Sequence, residues 1–192
     1  HETGGLENFL AYDPDDDGFK TANLGIKGAT TMGSYRWTYS LLALESETEF
    51  DQGLSDVDQT FGALGLEGRF SDAWAYQLLA GYVAEDLESD FGFFTTGFAS
   101  DRLQFSWQNQ YQAGENDSLN FGVDWYREHG SSQDAWDENR NNVGLFAIWN
   151  RRAGRLGSQL SVRWDDNSLF GSRFTGQAAI DWVVGESLTL LG

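Results

Sequence analysis

The sequence predicts an all-β protein, built as part of an antiparallel up-and-down transmembrane β-barrel. Three observations predict this fold. Short polar turns recur near Gly33, Asp72, Asn116, Gly154 and Gly185. Between them lie pairs of segments with alternating apolar and polar residues, joined by longer acidic stretches, and aromatic residues flank each short turn. Bacterial outer-membrane barrels combine short periplasmic turns, long extracellular loops and aromatic girdles at the membrane–water interface.

The clearest strand signal is the segment 102–111, in which apolar and polar residues alternate with a period of two. Its apolar face is formed by Leu103, Phe105, Trp107 and Tyr111. The same period predicts eleven strands, roughly at 1–11, 19–31, 34–46, 58–70, 73–85, 99–112, 118–129, 140–151, 155–166, 171–184 and 187–192. Most of them exceed the about 5–6 residues usual in soluble sheets, and they reach the about 9–11 residues that a tilted strand needs to cross a bilayer.

The composition narrows the class of protein further. The chain has 192 residues, no cysteine, a single proline at Pro14 and a formal net charge of −18. So negative a chain repels nucleic-acid phosphates, which excludes a nucleic-acid partner. No apolar run approaches the about 18 residues of a membrane helix. Because the chain begins at His1 and stops at Gly192 inside a predicted strand, we expect it to be a fragment of a longer protein.

The carboxylates are concentrated in the stretches that join the strand pairs. Of the 30 Asp and Glu residues, 20 fall in the segments 12–18, 45–58, 85–98, 128–139 and 165–170. If these stretches are loops, one rim of the barrel is strongly negative and needs bound cations or high salt for stability.

A calcium site is the sharpest chemical prediction. Residues 13–18 read DPDDDG, which matches the first half of a D-x-[DN]-x-[DN]-G calcium loop. The segment is no EF-hand, because the twelfth position is Leu24 rather than Glu. The remaining ligands would come from the next acidic stretch, which carries Glu45, Glu47, Glu49, Asp51, Asp56 and Asp58. A solvated acidic turn is the alternative that the residues alone leave open.

Catalysis finds little support in the sequence. The two histidines, His1 and His129, lie in no Ser–His–Asp or metal-ligand spacing. The adjacent pair Asp165 and Asp166 offers carboxylates for acid–base work, but it falls where a strand is predicted to end. The sequence therefore predicts a binding or transport protein rather than an enzyme.

Several motifs together resemble one family. Residues 163–171, RWDDNSLFG, resemble the R-x-D-D-N-S-x-F-G stretch of the TonB-dependent vitamin B12 (cobalamin) receptors of the bacterial outer membrane. Residues 122–125, GVDW, and 14–19, PDDDGF, are similar to that family's G-V-D-W and P-D-N-D-G-F, in the same order along the chain.

The resemblance implies a 22-stranded barrel, of which this chain holds about 11 strands, closed by an N-terminal plug that engages TonB. It implies cobalamin as the transported ligand, outer-membrane lipid and lipopolysaccharide as the surroundings, and calcium bound at the extracellular loops. The family's calcium-binding aspartates carry over to Asp15 and Asp17, to Asp51, and to Asp56 or Asp58. The neighbouring alternatives are a TonB-dependent receptor for a siderophore or glycan, a passive porin, and a soluble calcium-stabilised β-sandwich.

Overall fold

The computed structural model describes residues 3–4, 16–50, 53–133, 135–184 and 189–191, and within them it contains twelve strands. Their bounds are β1 Thr3–Gly4, β2 Asp16–Asp17, β3 Phe19–Met32, β4 Tyr35–Phe50, β5 Gly53–Ser71, β6 Trp74–Asp90, β7 Thr95–Gln112, β8 Asp117–Ser132, β9 Trp136–Ala153, β10 Leu156–Asn167, β11 Gly171–Val183 and β12 Thr189–Leu191. β1 pairs with β2, and β3 to β12 form one antiparallel sheet in chain order. This up-and-down order confirms the predicted fold class. In the described part of the chain, no helix is long and apolar enough to cross a membrane.

The predicted strand bounds are correct beside the short turns. At the opposite end of each hairpin, the predicted strands are too short. β6 was expected to stop at 85 but continues to Asp90, and β7 begins at Thr95 rather than at 99. Strands β4, β5, β8 and β9 are extended in the same way, so only positions 51–52 separate β4 from β5. The prediction of long acidic loops is therefore wrong for these hairpins. Their acidic segments form strands because neighbouring strands satisfy the backbone hydrogen bonds. The predicted strands 1–11 and 187–192 lie mostly outside the described residues.

The pairing register assigns every side chain to one of two faces. Between β3 and β11 the register shifts once, between Arg69 and Ser71, so alternate residues keep to one side of the sheet. We call the side that carries Leu41, Leu64 and Leu78 the outward face, and the opposite side the inward face. The described residues include no buried hydrophobic side chain, and Leu64 is 49% exposed. A β-sandwich would bury this apolar face against a second sheet, so the exposed face favours a sheet that lies against lipid.

The outward face carries an apolar band of the height expected for a bilayer. On β6 the band runs from Trp74 to Ala84, which is eleven residues, and on β4 it runs from Tyr35 to Ala43, which is nine. A tilted transmembrane strand needs about 9–11 residues. The band therefore accounts for more than half of each of these two strands, and the remainder of each strand extends beyond it on the side of the acidic segments.

The upper edge of the apolar band descends across the sheet. The first charged outward residues are Asp58 and Asp86 in one cross-strand row, then Asp101 on β7 in the next row, then Arg127 on β8 in the row after that. Each step lies two residues nearer the short turns. A membrane surface that cuts the rows in this staggered way indicates strands tilted against the membrane normal, as barrel closure requires.

Aromatic side chains form the predicted girdle at the short-turn edge of the band. Trp74 lies with its ring centroid 5.0 Å from Phe70, 5.9 Å from Tyr111 and 6.2 Å from Phe121. Its indole Nε1 donates a hydrogen bond of 3.1 Å to Oδ1 of Asn109, which is 3% exposed. The girdle satisfies the polar indole group inside an apolar cluster, which is the environment that tryptophan favours at membrane interfaces.

Candidate functional site

The predicted calcium ligands are distributed over two places. Asp15 and Asp51 lie outside the described residues. Asp17 ends β2, and the next residue, Gly18, accepts a backbone hydrogen bond of 2.8 Å at its carbonyl oxygen from the Glu49 amide. The end of β4 therefore lies beside Asp17 and Gly18, the described end of the acidic turn.

Asp56 and Asp58 lie within β5 and not in a loop, and both are on the outward face. Their location corrects the expectation that they belong to a loop at the rim. In the part of the chain that the structure describes, no three His, Cys, Asp or Glu side chains are close enough to hold a metal ion. Calcium binding therefore stays a prediction.

Above the apolar band, the outward face of β4 to β6 is acidic. The register places Glu45, Asp58 and Asp86 in one row and Glu47, Asp56 and Glu88 in the next outward row. We call these six residues the acidic strip. Lys20 pairs with Glu47, and this hydrogen bond, together with the charges of Glu47 and Glu49, raises the pKa of Lys20. Like charges directly opposite one another on a sheet are destabilising, so the acidic strip weakens β4–β6 pairing unless cations screen it.

Replacing Asp58 by Asn should stabilise the folded full-length protein at low salt. Asp58 faces Glu45 on one side and Asp86 on the other, so the neutral amide removes two repulsive contacts. We expect the free energy of unfolding to rise by about 0.3–1 kcal/mol at low salt. This gain should disappear at high ionic strength. Denaturant titrations in about 20 mM and about 500 mM NaCl, which screen surface charges weakly and strongly, measure the free energy of unfolding under both conditions. Asp72→Asn, at a short turn, is the matched control, and equal effects of both variants would contradict the repulsion.

The inward face of β8 to β10 carries an ion-pair network centred on Arg163. Its guanidinium donates to Asp165 through Nε at 2.8 Å and through Nη2 at 2.7 Å, and to Asp124 through Nη1 at 3.0 Å. Asn142, which is 8% exposed, donates to Asp165 at 3.4 Å. A Cβ built on Gly144 would collide with this guanidinium, so the glycine provides the space that it occupies. The fork binds both carboxylates and links β10 to β8, and the Asn142 hydrogen bond to Asp165 connects β9 to the same network.

A second ion-pair network lies on the inward face of β7 to β9, one strand closer to the acidic strip than the Arg163 network. The Glu128 carboxylate bridges Arg102, at 2.8 Å, and Arg140. Both guanidinium groups lie over the Tyr126 ring, with Arg102 at 4.2 Å and Arg140 at 5.7 Å from its centroid. These two networks were not predicted as sites. The two-residue spacing of Arg163 and Asp165 was visible in the sequence, but their partners on other strands required the register.

The two faces differ in net charge. In the register of β3 to β11, eight cations point inward: Lys27, Arg36, Arg69, Arg102, Arg140, Arg152, Arg163 and Arg173. Seven carboxylates share that face: Glu67, Glu85, Asp124, Glu128, Glu138, Asp165 and Asp181. The inward face is therefore near neutral, whereas carboxylates outnumber cations on the outward face of the same strands.

A tilted meander with a lipid-compatible outward band and a polar, near-neutral inward face defines an outer-membrane β-barrel protein. Comparison with known protein families identifies the family within this class. The model of the "TonB dependent receptor-like, beta-barrel" family matches residues 6–192, and the chain belongs to this family. The protein is therefore a component of the bacterial outer membrane.

A curated relative is similar to this chain in sequence, and two solved structures are similar to it in fold. The chain is 29% identical, over 208 residues and 97% of its length, to the vitamin B12 transporter BtuB of Photobacterium profundum, and it covers 33% of that protein. The siderophore receptor PirA of Pseudomonas aeruginosa matches with a TM-score of 0.79 at 13% identity, over 93% of this chain and 33% of that chain. The FrpB iron transporter of Neisseria meningitidis matches with a TM-score of 0.71 at 10% identity, over 100% of this chain and 40% of that chain. The chain thus spans about a third of the length of its curated relative.

Proposed function

We propose that the protein to which this chain belongs takes up vitamin B12 (cobalamin) across the outer membrane in a TonB-dependent process. The observation that carries the proposal is the 29% identity to a vitamin B12 transporter over 97% of the chain. The likeness to the siderophore and iron receptors lies below 25% identity and supports the fold alone, so it does not favour a siderophore ligand.

The proposed mechanism is binding followed by gated passage, with TonB engaged through an N-terminal plug. The inward face supports a wet, near-neutral lumen, because cations and carboxylates share it in similar numbers and many of them form ion pairs with one another. Glu128 bridges two arginines on the neighbouring strands, and Arg163 binds Asp165 on its own strand and Asp124 on β8. Paired charges of this kind hold the wall of the lumen in one arrangement without presenting a strong field of either sign to a solute.

We propose calcium as a resident ion at the outer end of β2 and β4. Asp15, Asp17 and Asp51 would hold it, and carboxylate oxygens are the ligands that calcium prefers. One contact supports this assignment: the Glu49 carboxylate lies over Gly18, in the space that a Cβ would fill, and Gly18 directly follows Asp17. Of Asp56 and Asp58, Asp56 is the better fourth residue, since it pairs with Glu47 and lies one row closer to Glu49. Bound calcium would neutralise these carboxylates and order the segments that carry them, which lowers the entropic cost of ligand binding.

The test is the affinity of the purified full-length receptor for cyanocobalamin, measured by titration calorimetry with calcium and with a chelator. We expect the chelator to weaken binding by about tenfold or more, which corresponds to about 1.4 kcal/mol of loop ordering. The double variant Asp15→Ala, Asp17→Ala should show the weak affinity with or without calcium, whereas Asp72→Ala should behave as wild type.

Two results would overturn parts of this proposal separately. Absence of cyanocobalamin binding by the wild-type receptor would remove cobalamin as the ligand. Tight binding that neither the chelator nor the double variant alters would remove calcium and leave cobalamin in place.

A further inference from the structure

Two polar side chains interrupt the lipid-facing surface of β9 and β10. The outward residues from Val143 to Ala153 and from Leu156 to Trp164 are all apolar except Arg151 and Ser158. The pairing register places these two exceptions directly opposite one another. We call them the polar pair. A cation on a lipid-facing surface is costly unless a partner neutralises it or water reaches it, so the polar pair calls for a partner at this depth.

The polar pair lies near the short-turn edge of the apolar band. Arg151 is one row beyond Trp149, which shares a cross-strand row with Trp74 of the girdle. On β10 and β11, apolar side chains continue one row further, where Leu156 pairs with Trp182 and both are exposed. The short turns of outer-membrane barrels are periplasmic. The polar pair therefore lies in the interfacial layer of the periplasmic leaflet, where the lipid headgroups are.

The guanidinium of Arg151 is available to a ligand. The Arg151 side chain is 53% exposed, and its Nη1 lies 3.8 Å from Oδ1 of Asp117, which is too far for a hydrogen bond. That oxygen already accepts a hydrogen bond of 3.1 Å from Nε1 of Trp149. In the part of the chain that the structure describes, Asp117 is the only carboxylate in ion-pair contact with Arg151. The guanidinium therefore keeps donors free for an anion on the membrane side.

The backbone holds the β9–β10 turn from both sides. The Arg152 amide donates 2.9 Å to the Asn116 carbonyl, and the Val183 amide donates 2.8 Å to the Arg155 carbonyl. Gly154, within the turn, has a φ of 61°, which a glycine adopts without strain. The turn is therefore a defined structure, and it carries Arg155 as a second cation at this edge of the sheet.

Apolar side chains adjoin the polar pair on the side of the bilayer centre. Trp149 lies opposite Leu160 in the next row, and Ile180 lies opposite Ser158 on β11. Leu160 and Ile180 are both exposed. Guanidinium forks match phosphate oxygens, and a hydroxyl adds one more donor. Phosphate-binding groups at headgroup depth, bordered by an apolar surface, complement a phospholipid whose phosphate meets Arg151 and whose acyl chains cover the apolar neighbours.

We propose that Arg151 and Ser158, together with Arg155 of the adjoining turn, bind the headgroup phosphate of a glycerophospholipid in the periplasmic leaflet. The acyl chains of this lipid would lie over Leu160 and Ile180. A phosphate bound at one fixed row sets the depth of this part of the barrel in the membrane. The inference concerns the lipid-facing surface, and it is independent of the ligand that the receptor transports.

Native mass spectrometry of the full-length receptor in a neutral detergent, titrated with phosphatidylglycerol, tests the site. We expect Arg151→Gln to raise the apparent dissociation constant of the tightest-bound lipid by about tenfold or more, because charge-assisted hydrogen bonds to phosphate are lost. Ser158→Ala should raise it by about two- to fivefold, since a single neutral hydrogen bond is lost. Unchanged affinity in Arg151→Gln would overturn the proposal.

Arg127→Gln is the matched control for Arg151→Gln. Arg127 is also outward, but it lies at the opposite edge of the apolar band, and its loss should change the constant by less than about twofold. Equal losses in the two variants would show general attraction of anionic lipid rather than a site, and would overturn the proposal. Diacylglycerol with the same acyl chains lacks the phosphate and should bind the wild type at least about tenfold more weakly. Binding as tight as that of phosphatidylglycerol would overturn phosphate recognition.

A second measurement uses the stability that a bound lipid confers on the folded receptor. Phosphatidylglycerol should raise the temperature at which the wild type loses its heat-modifiable electrophoretic migration, because a ligand that binds only the folded state stabilises it. We expect this rise to fall by more than about half in Arg151→Gln and to persist in Arg127→Gln. The unheated migration also verifies that each variant is folded. An equal rise in the wild type and in Arg151→Gln would contradict the proposed site.

Discussion

Replacing Leu78 by Arg should destabilise the folded receptor by about 2–4 kcal/mol, the depth-dependent cost of a cation on the lipid face of a barrel. Leu78 is outward, near the middle of the band that runs from Trp74 to Ala84 on β6. Its guanidinium would have to enter hydrocarbon or distort the bilayer to reach water. Urea unfolding of the full-length receptor in lipid vesicles, followed by tryptophan fluorescence, measures the loss.

The neighbouring residue supplies a matched control for Leu78→Arg. Gln77 is inward and exposed, beside Gln108 in the same row, so Gln77→Arg adds the same side chain to a wet surface. We expect a change of less than about 0.5 kcal/mol, as for most surface substitutions. Because the two positions differ only in face, similar losses for both variants would contradict the assignment of inward and outward faces from which the polar lumen is derived.

Replacing Arg163 by Met should cost about 1–3 kcal/mol, because it removes charge-assisted hydrogen bonds to two carboxylates and leaves them facing each other. The value lies below that of a fully buried pair, since the Arg163 side chain is 37% exposed. The same unfolding measurement applies. Arg36→Met is the control, because Arg36 holds only Glu67, at 3.3 Å and with both side chains more exposed.

The Arg163 network predicts strong non-additivity. Once Asp124 and Asp165 are both changed to Asn, the repulsion between carboxylates is gone, and Arg163→Met should then cost about 0.5–3 kcal/mol less than in the wild type. Additive losses across this cycle would show that the three side chains act independently. The network would then contribute nothing to holding β8, β9 and β10 in register.

The acidic residues show where local sequence patterns mislead. Their clustering in the sequence predicted loops, since carboxylates are rare in soluble strands. Residues 85–90 instead continue β6, where Glu85 faces inward with Gln59 while Asp86 and Glu88 face outward. Residue propensities predicted a loop there wrongly for two reasons. Pairing with β5 and β7 satisfies the backbone hydrogen bonds on both sides, and water covers the outward face above the band.

The motif at residues 163–171 illustrates the same limit at the level of the site. The sequence contained the residues and a family resemblance, but it gave no role to Arg163. Its partner Asp124 lies 39 positions earlier in the chain and reaches Arg163 only across the intervening strand β9, at Gly144. A contact of this kind depends on the register of two strand pairs at once, and no local pattern encodes it.

By itself, the sequence determined the fold class, the number and order of the central strands, the position of the short turns and the aromatic girdle. All of these follow from the two-residue period and from turn residues, which act locally. Only the tertiary structure decided where the strands end on the acidic side, which carboxylates face outward, and which charged side chains meet one another on the inward face. Those features depend on which residues lie opposite one another across neighbouring strands and on whether lipid or water covers them, and both are properties of the assembled sheet.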